Sequence, residues 1–83
     1  GVRVNGVAPG VTMTENMKRR VAAGERDPQK IVAWNAIPEI VLPEDVAESI
    51  FFLCSDEAHA ISGVTLPIDY GWQAAVTYNG YPK

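Results

Sequence analysis

The chain has 83 residues, 47% of them apolar, with a formal net charge of −3. This suits one small globular domain and excludes a disordered or multidomain chain. The acidic balance gives no general pull toward nucleic acid, one cysteine excludes a disulfide framework and a cysteine-only zinc site, and no apolar run nears the roughly 18 residues of a membrane span.

Val2, Val4 and Val7 read as a first strand rich in β-branched residues. Pro9-Gly10 ends it, because proline cannot donate to a ladder and glycine opens unusual backbone angles. Thr14 is the expected N-cap of a first helix whose apolar residues Met13, Met17 and Val21 repeat at helical spacing, with Gly24 as its stop. Asp27-Pro28 starts a second short helix, with Ile31 and Trp34 on its apolar side. Pro43-Glu44-Asp45 opens the strongest helix: proline and acids suit a first turn, where amides are unpaired and the dipole is positive. Its stripe of Val46, Ala47, Ile50, Phe51, Leu53 and Cys54 is wide enough to predict burial against more than one neighbour. Val64, Leu66 and Ile68 then alternate in a second strand, and Pro67 within it marks an edge. The tail from residue 73 to 83 has no period and reads as loop.

The order is strand, two short helices, one long helix, strand. A helical crossover predicts that the strands run parallel. Parallel strands are normally buried on both faces of a larger sheet. Two strands and one main helix cannot cover each other's apolar faces, so the unit calls for more sheet beside Val2–Val7. The opening at Gly1, without an initiator Met, suits a segment of a longer chain. The lack of a signal or transit segment points to a cytoplasmic setting.

Three blocks carry a family resemblance. They are Arg3-Val4-Asn5-Gly6-Val7-Ala8-Pro9-Gly10; Ile37-Pro38 with Pro43-Glu44-Asp45-Val46-Ala47 and Phe52-Leu53-Cys54-Ser55-Asp56; and Ile61-Ser62-Gly63 with Leu66-Pro67-Ile68-Asp69-Tyr70-Gly71-Trp72. In this order they resemble the C-terminal part of a classical short-chain dehydrogenase/reductase, over roughly residues 1 to 72. The resemblance implies an α/β fold, the last part of a doubly wound, Rossmann-like parallel sheet, incomplete alone. It divides the chain into a strand and cofactor loop (1–14), substrate-lid helices (15–42), a long helix (43–57), an edge strand and turn (61–72) and a tail (73–83).

The resemblance also implies an NAD or NADP cofactor and hydride transfer with a small alcohol or carbonyl substrate. Pro9, Gly10 and Val11 would shape a loop against the nicotinamide. Thr12 would offer main-chain groups to the carboxamide, and the Thr14 hydroxyl would bond the carboxamide or a phosphate. Such bonds fix the nicotinamide face that meets substrate. The variable lid makes Met13, Met17, Trp34 and Trp72 candidates for the substrate pocket, with ordinary core packing an equal alternative. Further expected partners are the N-terminal portion of the family's domain and a second copy, as a homotetramer or dimer built on the last helix and edge strand. Two local departures stand out. Tyr70 replaces the commoner glycine of Asp-Gly-Gly, and Glu39-Ile40-Val41-Leu42 is a shortened connection.

The family's Ser, Tyr and Lys are expected upstream. Tyr70, Tyr78 and Tyr81 each lack a lysine four residues on, and no Gly-rich dinucleotide fingerprint occurs. No catalytic residue and no metal ligand is therefore assigned, His59 standing alone. Lys18, Arg19, Arg20, Arg26 and Lys30 could meet an anionic substrate tail but read first as a solvated face. Cys54 is expected to be inert core, and Asp69 to bond turn amides. The rival readings are a non-catalytic α/β binding module and a nicked enzyme whose other part stays bound.

Overall fold

Two parallel strands pair at the centre of the computed structural model, which describes the backbone of residues 1–79 and side chains up to residue 75. Strand β1 (Gly6–Pro9) is followed by α1 (Glu15–Ala22), α2 (Pro28–Val32), α3 (Pro43–Cys54), β2 (Thr65–Ile68) and α4 (Trp72–Asn79). The strands pair in the register Gly6 with Thr65 through Pro9 with Ile68. The parallel crossover is thus as expected. The amides of Gly6 and Gly10 donate to the carbonyls of Val64 and Ile68, each at 2.9 Å. By alternation Pro67 faces away from β1, where its missing N–H costs no ladder bond.

Helix starts follow the capping residues. The Thr14 hydroxyl accepts from the Met17 amide at 3.1 Å, and Asp27 Oδ1 accepts from Gln29 at 3.0 Å with Pro28 in the first turn. Asp45 reaches back to the Leu42 amide at 2.8 Å, so the third residue of α3 satisfies the amide that precedes it. Gly24, at φ 77°, follows α1 in the left-handed conformation that ends helices.

Four expectations are corrected. The first strand does not include Val2 and Val4, which are 90% and 70% exposed. Before Gly6 regular pairing stops: the Val4 carbonyl still accepts from the Gly63 amide at 2.8 Å, and side chains take the other bonds. Asn5 donates to the Ile61 carbonyl and accepts from the Val64 amide, both at 3.0 Å. Arg3 donates to the carbonyls of Leu53, Ile61 and Ser55 at 2.9, 3.0 and 3.3 Å. Second, the wide stripe of α3 is mostly uncovered: Leu53 is buried, but Ala47, Ile50, Phe51 and Cys54 are exposed. Third, Cys54 is therefore not core. Fourth, the tail is helical from Trp72 to Asn79 rather than loop. Gln73, Ala74 and Ala75 are good helix formers with too few large apolar residues to print a period. Residues 80–83, with Tyr81, lie outside the described residues. Trp34 lies just beyond α2, and is 44% exposed.

Only Val41, Leu53 and Ala58 are buried apolar residues among those described. The surface is 6090 Å², against about 4,900 Å² for a compact monomer of this mass. The radius of gyration is 15.1 Å, where a compact domain of this length has about 12 Å. The molecule is a slab 14 Å thin in one direction. A groove of about 590 Å³ runs between Arg3–Val7 and the Ile50–Cys54 face of α3. Burial on this scale suits a partial fold. No helix among the described residues is long and apolar enough to cross a membrane.

Candidate functional site

β1 and β2 end side by side, and the segments leaving them meet at once. The Gly10 amide is held on the Ile68 carbonyl, and the residue after Ile68 is Asp69. A Cβ built on Gly10 would lie 2.8 Å from the Asp69 Cβ and 3.1 Å from its Cα. Only glycine fits there, because the wall is partly backbone. Asp69 bonds turn amides as expected. Its Oδ1 accepts from Gly71 at 2.9 Å, and its Oδ2 accepts from Gln73 at 3.0 Å.

The loop after Gly10 is fastened at several points. The Thr12 hydroxyl donates to the Gly10 carbonyl at 2.9 Å. Thr12 forms an isolated parallel bridge with Val41, and the Met13 amide donates to the Val41 carbonyl at 2.8 Å. Val41, in the shortened connection, is 2% exposed and so anchors the loop on the approach to α3. Thr14 donates its amide to the Thr12 carbonyl at 2.9 Å while its hydroxyl caps α1. Capping uses one hydroxyl lone pair and leaves the proton to donate elsewhere.

An open cleft of about 340 Å³ faces this loop. Pro9, Gly10, Val11 and Ala8 form one side; Asp69, Trp72 and Gln73 form the other. Val11 is 46% and Trp72 45% exposed. Of the four pocket candidates, then, Trp72 stands beside the loop, while Met13, Met17 and Trp34 do not line this cleft. Met13 and Met17 are half-buried around the start of α1. Gln73 was missed because the tail carries no period, although an aspartate four residues upstream is a signal for a bonded amide there.

Tyr70 has φ 50° and Gly71 φ 80°. Tyr70 thus takes the left-handed conformation that glycine adopts without cost. Its carbonyl accepts from Ile37 at 3.0 Å, and a Cβ on Gly71 would lie 2.6 Å from that of Ala36. The turn after β2 is therefore wedged between the Pro-Gly loop and the Ala36–Ile37 segment. Lys18 pairs with Glu15 at 3.2 Å, and Arg19 and Arg20 are exposed, which fits the solvated face. Among the described residues no three His, Cys, Asp or Glu side chains gather as a metal site.

Loops clustered beyond the carboxyl ends of parallel strands, with helices in the crossover, define the ligand side of a doubly wound α/β fold. Residues 1–73 match the family described as enoyl-(acyl carrier protein) reductase. The chain belongs to the short-chain dehydrogenase/reductase family. It is 34% identical over 77 residues to 2-(S)-hydroxypropyl-CoM dehydrogenase 3 of Xanthobacter autotrophicus, covering 89% of this chain and 30% of that one. An oxidoreductase of the same family from Burkholderia thailandensis aligns with TM-score 0.81 and 38% identity, over 89% of this chain and 28% of that one. The protein ElxO, solved with NADP bound, aligns with TM-score 0.83 and 31% identity, over 89% and 30%. A Brucella melitensis structure described as a ribose-5-phosphate isomerase aligns equally well, with TM-score 0.81 and 35% identity over 100% and 33%. That last name differs from the others, so these likenesses bear on the fold more than on one reaction. The chain spans between 14% and 34% of the length of the first curated relatives it matches.

Proposed function

We propose that this chain is the nicotinamide-side wall of an NAD(P)-dependent oxidoreductase that moves hydride between the cofactor and a small carbonyl or alcohol. The observation that carries this reading is the fastened loop Pro9–Thr14, set at the carboxyl ends of two parallel strands and beside an open, largely apolar cleft. A nicotinamide fits the donor set. Thr14 keeps a hydroxyl proton for an acceptor, Pro9 and Val11 offer an apolar edge, and Thr12 is immobilised by Val41. When bound, the cofactor supplies the hydride. The residues of this chain hold and orient it, which sets the face presented to substrate.

In the same proposal α1 and α2 form the substrate lid and Trp72 lines the substrate side of the cleft. The groove along Arg3–Val7 receives the rest of the domain, including the acid/base tyrosine and its lysine. The exposed outer side of α3, where Phe51 is 79% exposed, pairs with a second copy. The test is turnover by the full-length protein. Purified protein mixed with NADH or NADPH and a panel of ketones should oxidise the cofactor. Absence of both cofactor binding and turnover would refute the reading.

A further inference from the structure

We propose that Asp69 is the positioning residue of the cofactor loop: it sets where the Pro9–Thr14 loop stands and so how firmly the nicotinamide end of the cofactor is held. This rests on the reading of that loop given above. Two observations carry it. The Asp69 Cα and Cβ fill the space a side chain at Gly10 would occupy, at 3.1 and 2.8 Å. The Gly10 amide is meanwhile tied to the Ile68 carbonyl at 2.9 Å. The loop thus leaves the sheet against Asp69 and cannot settle closer to β2.

Asp69 is itself locked. Both carboxylate oxygens are taken by backbone amides, Gly71 at 2.9 Å and Gln73 at 3.0 Å, and its carbonyl accepts from Trp72 at 3.1 Å. Those bonds hold a turn that contains Tyr70 at φ 50° and Gly71 at φ 80°. A non-glycine residue leaves the left-handed region readily once its restraints are lost. Removing the carboxylate keeps the Cβ that touches Gly10 but frees the turn that fixes its position. The loop can then drift, and with it the Thr12 main chain and the Thr14 hydroxyl. The side chain acts through Gly10 and does not touch the reacting atoms.

The adenosine end of the cofactor gives the control, since it lies away from this loop in the proposed arrangement. In the full-length protein, Asp69→Ala should weaken NAD(P)+ binding about tenfold, the size of one or two net hydrogen bonds. AMP, or 2′,5′-ADP where NADP is preferred, should weaken by no more than about twofold, since it lacks both the nicotinamide and the phosphate next to it that the loop holds. Asp69→Asn keeps one of the two acceptors and loses the other, so it should fall between wild type and Asp69→Ala. It also serves if the alanine variant does not fold. Equal weakening of both ligands in either variant, or of neither, would overturn the proposal. Thr14→Val tests the underlying reading separately. If it leaves NAD(P)+ affinity unchanged, the loop reading fails and this proposal with it; if it weakens NAD(P)+ while Asp69 variants do not, only the role of Asp69 fails.

Discussion

Gly10 and Asp69 meet so closely that a methyl group on Gly10 would stand 2.8 Å from the Asp69 Cβ. The neighbour includes backbone, so it cannot swing aside. Gly10→Ala should therefore cost about 1–3 kcal/mol of stability, as overpacking does. Urea denaturation of the full-length protein measures this, and NAD(P)+ affinity should fall in the same variant because the loop is pushed from β2.

Arg3 should prove a structural cation. Its guanidinium satisfies the carbonyls of Leu53 and Ser55 at the end of α3, and that of Ile61. Positive charge is favourable at a helix C-terminus. Arg3→Ala should destabilise the full-length protein by about 2 kcal/mol, the usual cost of stranding partly buried acceptors that had a charged donor. Arg3→Lys should recover only part of this, because an ammonium cannot span three carbonyls as a planar fork does. Equal stability of all three proteins by denaturant melt would contradict the assignment.

Gly71 carries two separable costs. Its φ of 80° disfavours any side chain, and its missing Cβ makes room for Ala36, whose own Cβ would lie 2.6 Å from one built on Gly71. Gly71→Ala should lose about 1–2 kcal/mol from the backbone term and a further contact term of similar size. Ala36→Gly combined with it should restore the contact term and leave the backbone term. A double-mutant cycle reads this directly, and strict additivity would show that the two residues do not touch in solution.

Much of this architecture was legible in the residues. Thr14, Asp27-Pro28 and Pro43-Glu44-Asp45 marked helix starts because capping is local chemistry, and the structure places helices after each. The alternation of Val64, Leu66 and Ile68 marked the second strand, and the structure pairs Thr65–Ile68 with β1. Other features depended on distant partners. Val2 and Val4 look like strand, yet regular pairing ends at Gly6, where the Asn5 side chain bonds the Ile61 carbonyl and Val64 amide and Arg3 turns to the carbonyls of Ile61 and the end of α3. Cys54 lies on an apolar helix, but a stripe says only which side wants cover. The helix from Trp72 to Asn79 was hidden by small residues. The contact between Asp69 and Gly10 joins positions far apart in sequence, and no local spacing announces it.

Thr14 should show two effects that one conservative variant keeps. Its hydroxyl caps α1 by accepting from Met17 and retains a proton, which in the proposed reading donates to the cofactor. Thr14→Ser preserves both and should behave as wild type. Thr14→Val loses both, costing about 1 kcal/mol in stability from the cap alone. Its NAD(P)+ affinity should fall as well, measured by titration of the full-length protein. Loss of stability with unchanged affinity would leave Thr14 only a cap and overturn the loop reading with it.

The 83-residue chain on its own should not behave as a stable monomer. Three buried apolar residues among those described, an unpaired side of β1 and an exposed stripe on α3 offer too little burial. Sedimentation with a thermal melt checks this. A folded, cooperative monomer would contradict the partial-sheet account.

A crystal structure of the full-length protein with NAD(P)+ tests the central claim most directly. The account predicts the carboxamide within hydrogen-bond reach, about 3 Å, of the Thr12 main chain. The Thr14 hydroxyl should donate to the carboxamide or a phosphate, and Pro9 and Val11 should border the ring. A nicotinamide bound elsewhere, with the Pro9–Thr14 loop free of contact, would contradict it.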